Sequence, residues 1–404
     1  MKKLALFFCV LITMSGLYSQ EISQWRGPNR DGIYNESGLL KQWPQSGPAM
    51  LWSYEGLGNG HAAVSVTKSK IFAAGTADEM GFIVALDHSG KLLWKTDYGK
   101  EWTESFPGVR SAPLFYIDKV YTLSSFGELV CMNAEKGNIL WKIDVTKDYD
   151  GENIKWGYTE NLLIDDNKLY CTAGGKNDNV LALNKDTGKL IWKSKGNSEK
   201  SAYCSPMIVN LTNRKILVTH TEKSIIGIDA ADGKFLWSFD HPNEWSVQPN
   251  TPIYHEGLLY CTSGYGQGGV MLKLSPDGAS VSEVWRNKVP DPKMGGMVLL
   301  NGKIYGSGDN TRKWFCLDWK TGELLYSSDM MKRGNIISAE GLLYCYDDAG
   351  TMGLVEPGTS DFKLISSFKV PLGEDQHWAH PVIHDKKLYI RHGSALMVYD
   401  IGAK

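Results

Sequence analysis

From residue 50 to the C-terminus the chain alternates between short apolar runs and short polar breaks rich in Gly, Asp, Asn and Lys. Between residues 111 and 144, for example, stand SAPLFYI, KVYTLSS, GELVCMN and NILWKID, each rich in β-branched and aromatic residues. Such runs, bounded by turn-forming residues, predict strands joined by tight turns. No window sustains a 3.6-residue apolar period, so helices should be scarce. The pattern predicts an all-β chain.

The runs also repeat. An apolar strand ending in Asp or Asn, a Gly-containing turn and an apolar strand with Trp recur as ALDHSGKLLW (85–94), CMNAEKGNILW (131–141), ALNKDTGKLIW (182–192) and GIDAADGKFLW (227–237). Looser copies cover 273–285, 316–326 and 354–368. Val398-Tyr399-Asp400 is a first half with no second half, and Met50-Leu51-Trp52-Ser53 is a second half with no first. The aromatic anchors fall at 52, 94, 141, 192, 237, 285, 326 and 368, at intervals of 41 to 51 residues. A period in the forties with four strands per unit predicts a β-propeller. The count predicts an eight-bladed β-propeller of four-stranded blades. The ring should close by pairing of the N-terminal strand, about 50–54, with the C-terminal blade, which removes exposed sheet edges. In each turn the Asp or Asn can accept backbone N–H bonds and the Gly can take positive φ, leaving the Trp to pack between blades.

Residues 1–20 carry Lys2 and Lys3 before an apolar stretch from Leu4 to Met14, the layout of a secretory signal peptide. Export to the periplasm or the exterior is therefore expected, with residues 21–404 as one domain and 21–49 as an N-terminal extension. Without residues 1–20 the chain has 41 basic and 45 acidic side chains, a net charge of −4. That balance does not suit a nucleic-acid partner. No later run is long and apolar enough for a helical membrane span, and a soluble monomer is expected. Six cysteines remain, each inside an apolar run with no CxxC or adjacent pair. They are expected to be mostly unpaired core thiols.

The AxDxxxGxxxW phrase resembles the tryptophan-docking repeat of the PQQ-like propellers, a family that includes quinoprotein alcohol dehydrogenases and the BamB lipoprotein. Further resemblance to secreted members lies in Gln24-Trp25-Arg26-Gly27-Pro28-Asn29-Arg30-Asp31-Gly32, in Trp156 to Asn161, in Ser263 to Gly268 and in His377 to Pro381. The resemblance implies the propeller fold. It implies PQQ with calcium only if the ligands of the quinoprotein enzymes are present, and this chain has no adjacent-cysteine pair and no long insertions. No cofactor is therefore expected.

Function should lie in the loops. Those leading from one blade to the next, with the loops between second and third strands, should gather on one face. They bring Trp102, Phe106, Arg110, Trp156, Tyr158, Glu160, Asn161, Tyr203, Trp245, Gln248, Asn250, Tyr265, Arg333, His377, Trp378, His380, Arg391 and His392 as candidate ligand-binding residues. Aromatic faces can stack on sugar or quinone rings, and Arg can pair with carboxylates. The same residues would equally serve to cap blade tops. His377 and His380 lack an obvious third metal ligand, and Asp309, Asn310, Asp347 and Asp348 suit turns as well as calcium. No complete catalytic set is visible. The first reading is thus a platform binding a glycan, a small polar ligand, or a periplasmic or outer-membrane protein. One alternative is a uronate lyase with His377, His380 or Tyr158 as base and Arg110 or Arg391 on the carboxylate. Another is a PQQ-dependent alcohol dehydrogenase.

Overall fold

The computed structural model describes residues 21–403, and the expected signal peptide lies outside the described residues. The eight sheets radiate from a central channel, and no helix occurs among the described residues. Blade 1 comprises Ser65–Val66, Ile71–Ala77, Met80–Leu86 and Leu92–Lys100, running from the inner to the outer strand. Blades 2 to 7 repeat this order over residues 114–144, 163–194, 207–240, 253–287, 298–328 and 334–369. Blade 8 takes its inner three strands, Val382–His384, Lys387–His392 and Ala395–Asp400, from the C-terminus, and its outer strand, Ala49–Tyr54, from the N-terminal part. Trp52 pairs with Val398 and Ala49 with Asp400, as the two orphan half-repeats require.

The blades are held to one another by one repeated contact. The indole N–H of each outer-strand Trp donates to a backbone carbonyl in the third-to-fourth-strand turn of the next blade. The pairs are Trp52 to His88, Trp94 to Ala134, Trp141 to Lys185, Trp192 to Ala230, Trp237 to Gly278 and Trp285 to Trp319, at 2.9–3.3 Å. Tyr326 makes the equivalent bond to Gly358 through its hydroxyl. Sequence reasoning assigned the turn Gly to positive φ alone, but the ring of the preceding blade also lies flat on it. A Cβ on Gly90, Gly137, Gly188, Gly233 or Gly322 would come within 2.4–2.8 Å of that indole. At the seam, Phe368 docks on Gly47, just before the closing strand, so the N-terminal part restores the eighth contact.

Each third-to-fourth-strand pairing carries a register shift, just before the anchor as between Cys131 and Met132 opposite Trp141, except in blade 7, where it falls at Ile365, ahead of Phe368. The bulge re-aims the aromatic ring toward the neighbouring blade. It also breaks simple alternation, so that Leu92 and Leu93, Ile139 and Leu140, and Leu190 and Ile191 are exposed as adjacent pairs on the outer wall. The six described cysteines are free and buried, five of them within strands and Cys204 in the loop ahead of Met207–Asn210.

The N-terminal extension enters the channel. Ile22–Ser23 adds an antiparallel strand to the inner edge of blade 2, and Ile33–Tyr34 adds a parallel one to blade 7. Between them Trp25 to Asp31 cross the axis, with Arg26 and Arg30 at φ 61° and 60°. Both arginines are buried. Arg26 donates to the carbonyls of Ile336, Asp31 and Met297 and meets His380 Nδ1 at 3.1 Å. Arg30 donates to Gln24 Oε1 and to the carbonyls of Leu162 and Asn161. A segment of little regular structure is thereby pinned as a plug, because these guanidinium groups satisfy carbonyls at the starts of inner strands.

Two glycine substitutions separate docking from backbone strain. Gly233 and Gly257 share φ near +80°, but a Cβ on Gly233 meets Trp192 at 2.6 Å whereas one on Gly257 meets nothing within 4 Å. Gly257→Ala should cost about 1 kcal/mol, the penalty of the left-handed conformation. Gly233→Ala should cost about 3 kcal/mol, because overpacking adds to it. Equilibrium urea unfolding of the two variants measures both values.

Candidate functional site

The upper face, where blade-to-blade loops emerge, carries a continuous arc of aromatic rings. Trp378 lies between His61 and Phe106, at centroid distances of 5.0 and 4.8 Å. Farther along, Trp156 meets Trp245 at 6.3 Å, and Trp245 meets Tyr265 at 6.4 Å. Arg110 joins the two halves. Its guanidinium donates to the Tyr203 hydroxyl at 2.9 Å and to the carbonyls of Trp156, Ser105 and Phe106. It also sits 5.6 Å from the Trp102 ring and 5.9 Å from the Tyr203 ring. Lys155 lies over Trp156 at 4.7 Å and Lys293 over Tyr265 at 6.0 Å, within cation–π range. Phe106 and Trp245 remain 48% and 46% exposed, so the arc presents ring faces to solvent.

No carboxylate pairs with Arg110 or Lys155 among the described residues, whereas Lys293 has Asp309. The arc runs from blade 8 to blade 5. The remaining sector is ionic: Arg333 bridges Asp309 and Asp348. Asp347 turns inward to accept the amides of Lys332, Ala349 and Thr351. Among the described residues, no group of three or more His, Cys, Asp or Glu is placed to hold a metal ion.

Other predicted residues lie below this surface. The Tyr158 hydroxyl donates to the Ala173 carbonyl. Glu160 accepts the Thr172 amide, and burial pushes its carboxyl up to about 7 against the pull of that bond and of Arg30. Asn161 accepts the Ala112 amide and donates to Ser205, Gln248 donates to the His241 carbonyl, and Asn250 donates to that of Pro292. Arg391 is fully buried and gives its bonds to the carbonyls of Gly393, Ala62 and Ala74. These groups tie loop feet to strand ends, and the atoms among them without a partner, Gln248 Oε1, Asn250 Oδ1 and Arg391 Nη2, are buried.

The two histidines three apart in sequence are separated in space. His377 stacks on His392 at 3.7 Å and meets the Tyr346 hydroxyl at 2.6 Å, and burial lowers its pKa to about 4. His392 has the carbonyls of Leu372 and Asp375 at its ring nitrogens. His380 stands in the interior between Arg26 and the Met294 carbonyl, and burial followed by the Arg26 charge lowers its pKa to about 3. Sequence reasoning missed His61 as a member of the arc, since it stands outside the repeat and outside the quoted motifs. The arginines of the 24–32 motif hold the plug, a role whose signal is their place ahead of the first repeat.

The family described as outer membrane protein assembly factor BamB matches residues 79–323. The chain belongs to this family of PQQ-like propellers. Among curated relatives, an uncharacterized protein of Rickettsia conorii is 22% identical over 311 residues, covering 58% of this chain and 72% of the relative. Quinohemoprotein alcohol dehydrogenase ADH IIB of Pseudomonas putida is 24% identical over 238 residues, covering 54% of this chain but only 32% of that enzyme. Among solved structures, BamB from Moraxella catarrhalis superposes with a TM-score of 0.60 at 13% identity, covering 87% of this chain and 97% of that one. That likeness establishes the shared propeller fold.

The interior His380 gives a pH test. Its folded pKa of about 3 lies below the ordinary value of 6.5, so the unfolded chain takes up the proton first on acidification. The stability that neutral His380 contributes is complete above pH 6.5 and is lost as the pH falls toward 3. In His380→Gln, which retains a donor and an acceptor, the free energy of unfolding should fall less steeply between pH 6.5 and 3. Urea titrations at a series of pH values would show the difference in slope.

Proposed function

We propose that the protein is an exported, monomeric, non-catalytic binding platform whose aromatic arc receives a partner protein with apolar and acidic surface. The observation that carries this reading is the run of half-exposed rings about Arg110 and Lys155, two cations without a carboxylate partner among the described residues. Aromatic residues and Arg are the types that dominate protein-binding hot spots. The BamB-type match supports a protein partner, and the signal-peptide-like start supports export.

The reading includes neither lyase nor quinone chemistry. A base and a carboxylate-binding cation facing one cleft are needed to remove a sugar proton. Tyr158, His380 and Arg391 each have internal partners instead. A planar quinone bearing carboxylates needs a slot in the channel and uncommitted cations. Trp25 to Gly27 are buried across the axis, and Arg26, Arg30 and Arg391 give most of their donors to backbone carbonyls. The buried plug supports a reading without a bound quinone.

A photoreactive amino acid placed at 245, with a control at 140 on the outer wall, tests the proposal in cells of the native host. Position 245 should give a protease-sensitive adduct that position 140 does not, and Arg110→Glu should abolish it. With the partner in hand, Trp245→Ala should weaken binding about 30-fold, or about 2 kcal/mol. A protease-resistant, carbohydrate-containing adduct would favour an acidic glycan, and equal labelling at 245 and 140 would overturn the reading.

A further inference from the structure

The plug divides the channel, and below it lies a cavity of about 760 Å³ that opens among the first-to-second-strand hairpins of the lower face. Its closed end is formed by Pro28 to Asp31, and its wall by the inner strands of blades 3 to 6. The volume is that of a ligand site. Because propeller sheets stand radially, their faces pack against neighbouring blades and their inner edges face the axis. What this wall offers is therefore a set of unpaired strand edges, not a side-chain pocket. Leu163–Asp165, Met207–Asn210, Ile253–His255 and Val298–Leu300 each pair on their outer side only.

The chain itself shows what such an edge accepts. At blades 2 and 7 the same kind of inner strand is paired by a two-residue extended segment, Ile22–Ser23 on Tyr116 and Phe115, and Ile33–Tyr34 on Ser338 and Ala339. We propose that the lower cavity is a receptor for a short extended peptide from a partner, which adds a strand to the inner edge of blade 4. This site lies on the opposite face from the aromatic arc and does not depend on the function proposed for it.

Blade 4 is favoured by geometry. Met207–Asn210 is the longest of the four inner strands, and Asn210 at its end is exposed. Leu211 N–H donates to the Arg214 carbonyl and closes the hairpin. Ladder alternation then makes Val209 and Met207 the residues bonded to the second strand, opposite Ile216 and Val218. The backbone groups of Ile208 and Asn210 are left facing the axis. Both residues line the cavity and Val209 does not. A peptide of about four residues, ~13 Å when extended, can match this edge. Its recognition would rest on main-chain hydrogen bonds, with Ile164, Met207, Ile253 and Leu299 offering apolar contact to alternate side chains.

The test uses a fluorescein-labelled Val-Thr-Val-Thr-Val peptide and a twin whose alternate amide nitrogens are methylated, titrated by anisotropy. The plain peptide should bind saturably and the methylated twin should not. Ile208→Pro removes an amide that the blade's own ladder does not use, so it should weaken binding about tenfold or more with little change in Tm. Trp245→Ala should leave peptide binding intact, and Ile208→Pro should leave cross-linking at 245 intact, which keeps the two proposals separable. Equal binding of the methylated peptide, no binding at millimolar peptide, or undiminished binding to a folded Ile208→Pro variant would overturn the proposal.

Discussion

A flat indole resting on a bare glycine is the contact on which the ring depends. Each blade alone is a four-stranded sheet with two faces to cover, and its neighbours provide the cover. The anchor aromatic spans that junction, and its N–H finds a carbonyl in the turn of the next blade. Glycine answers two needs at that place, the positive φ of the turn and the absence of a Cβ beneath the ring. The bulge ahead of each anchor belongs to the same device, since a regular strand would aim the ring elsewhere.

The seam between the chain ends obeys the same rule. Blade 8 joins two distant pieces of chain, and continuity of the ladder alone would leave its third-to-fourth-strand turn broken. Gly47 under Phe368 and the bridge of Leu39 with Gly402 rebuild the missing turn from both sides. The extension then continues inward, where buried Arg26 and Arg30 exchange hydration for carbonyl partners around the axis. With most of their donors partnered, such groups fix a unique position for a segment that has little ladder of its own.

Much of the architecture was legible because docking leaves a mark at constant spacing. Trp94, Trp141, Trp192 and Trp237, with their turn glycines, announce the blade count, and the orphan halves at 50–53 and 398–400 announce the closure. The second role of the glycines was not legible, because the ring that covers each one belongs to the preceding blade. The upper face was half legible. Loop residues have no period, so sequence places Trp245 and Gln248 on one loop without revealing that the first points outward while the second holds the His241 carbonyl. Strand ends at loop feet need polar partners, and Asn161, Asn250 and Arg391 serve that need. The plug escaped prediction because hydrophobic patterning is silent about a segment held by guanidinium–carbonyl bonds.

A ring of near-equivalent blades has no built-in direction, since rotation by one blade nearly maps it onto itself. The plug ends that equivalence. By pairing with blades 2 and 7 it gives two of the inner edges a fifth strand and leaves the cavity on one side of itself, against blades 3 to 6. A repetitive scaffold thereby acquires distinguishable positions without departing from its repeat, because fewer than twenty residues outside the repeats break its rotational symmetry.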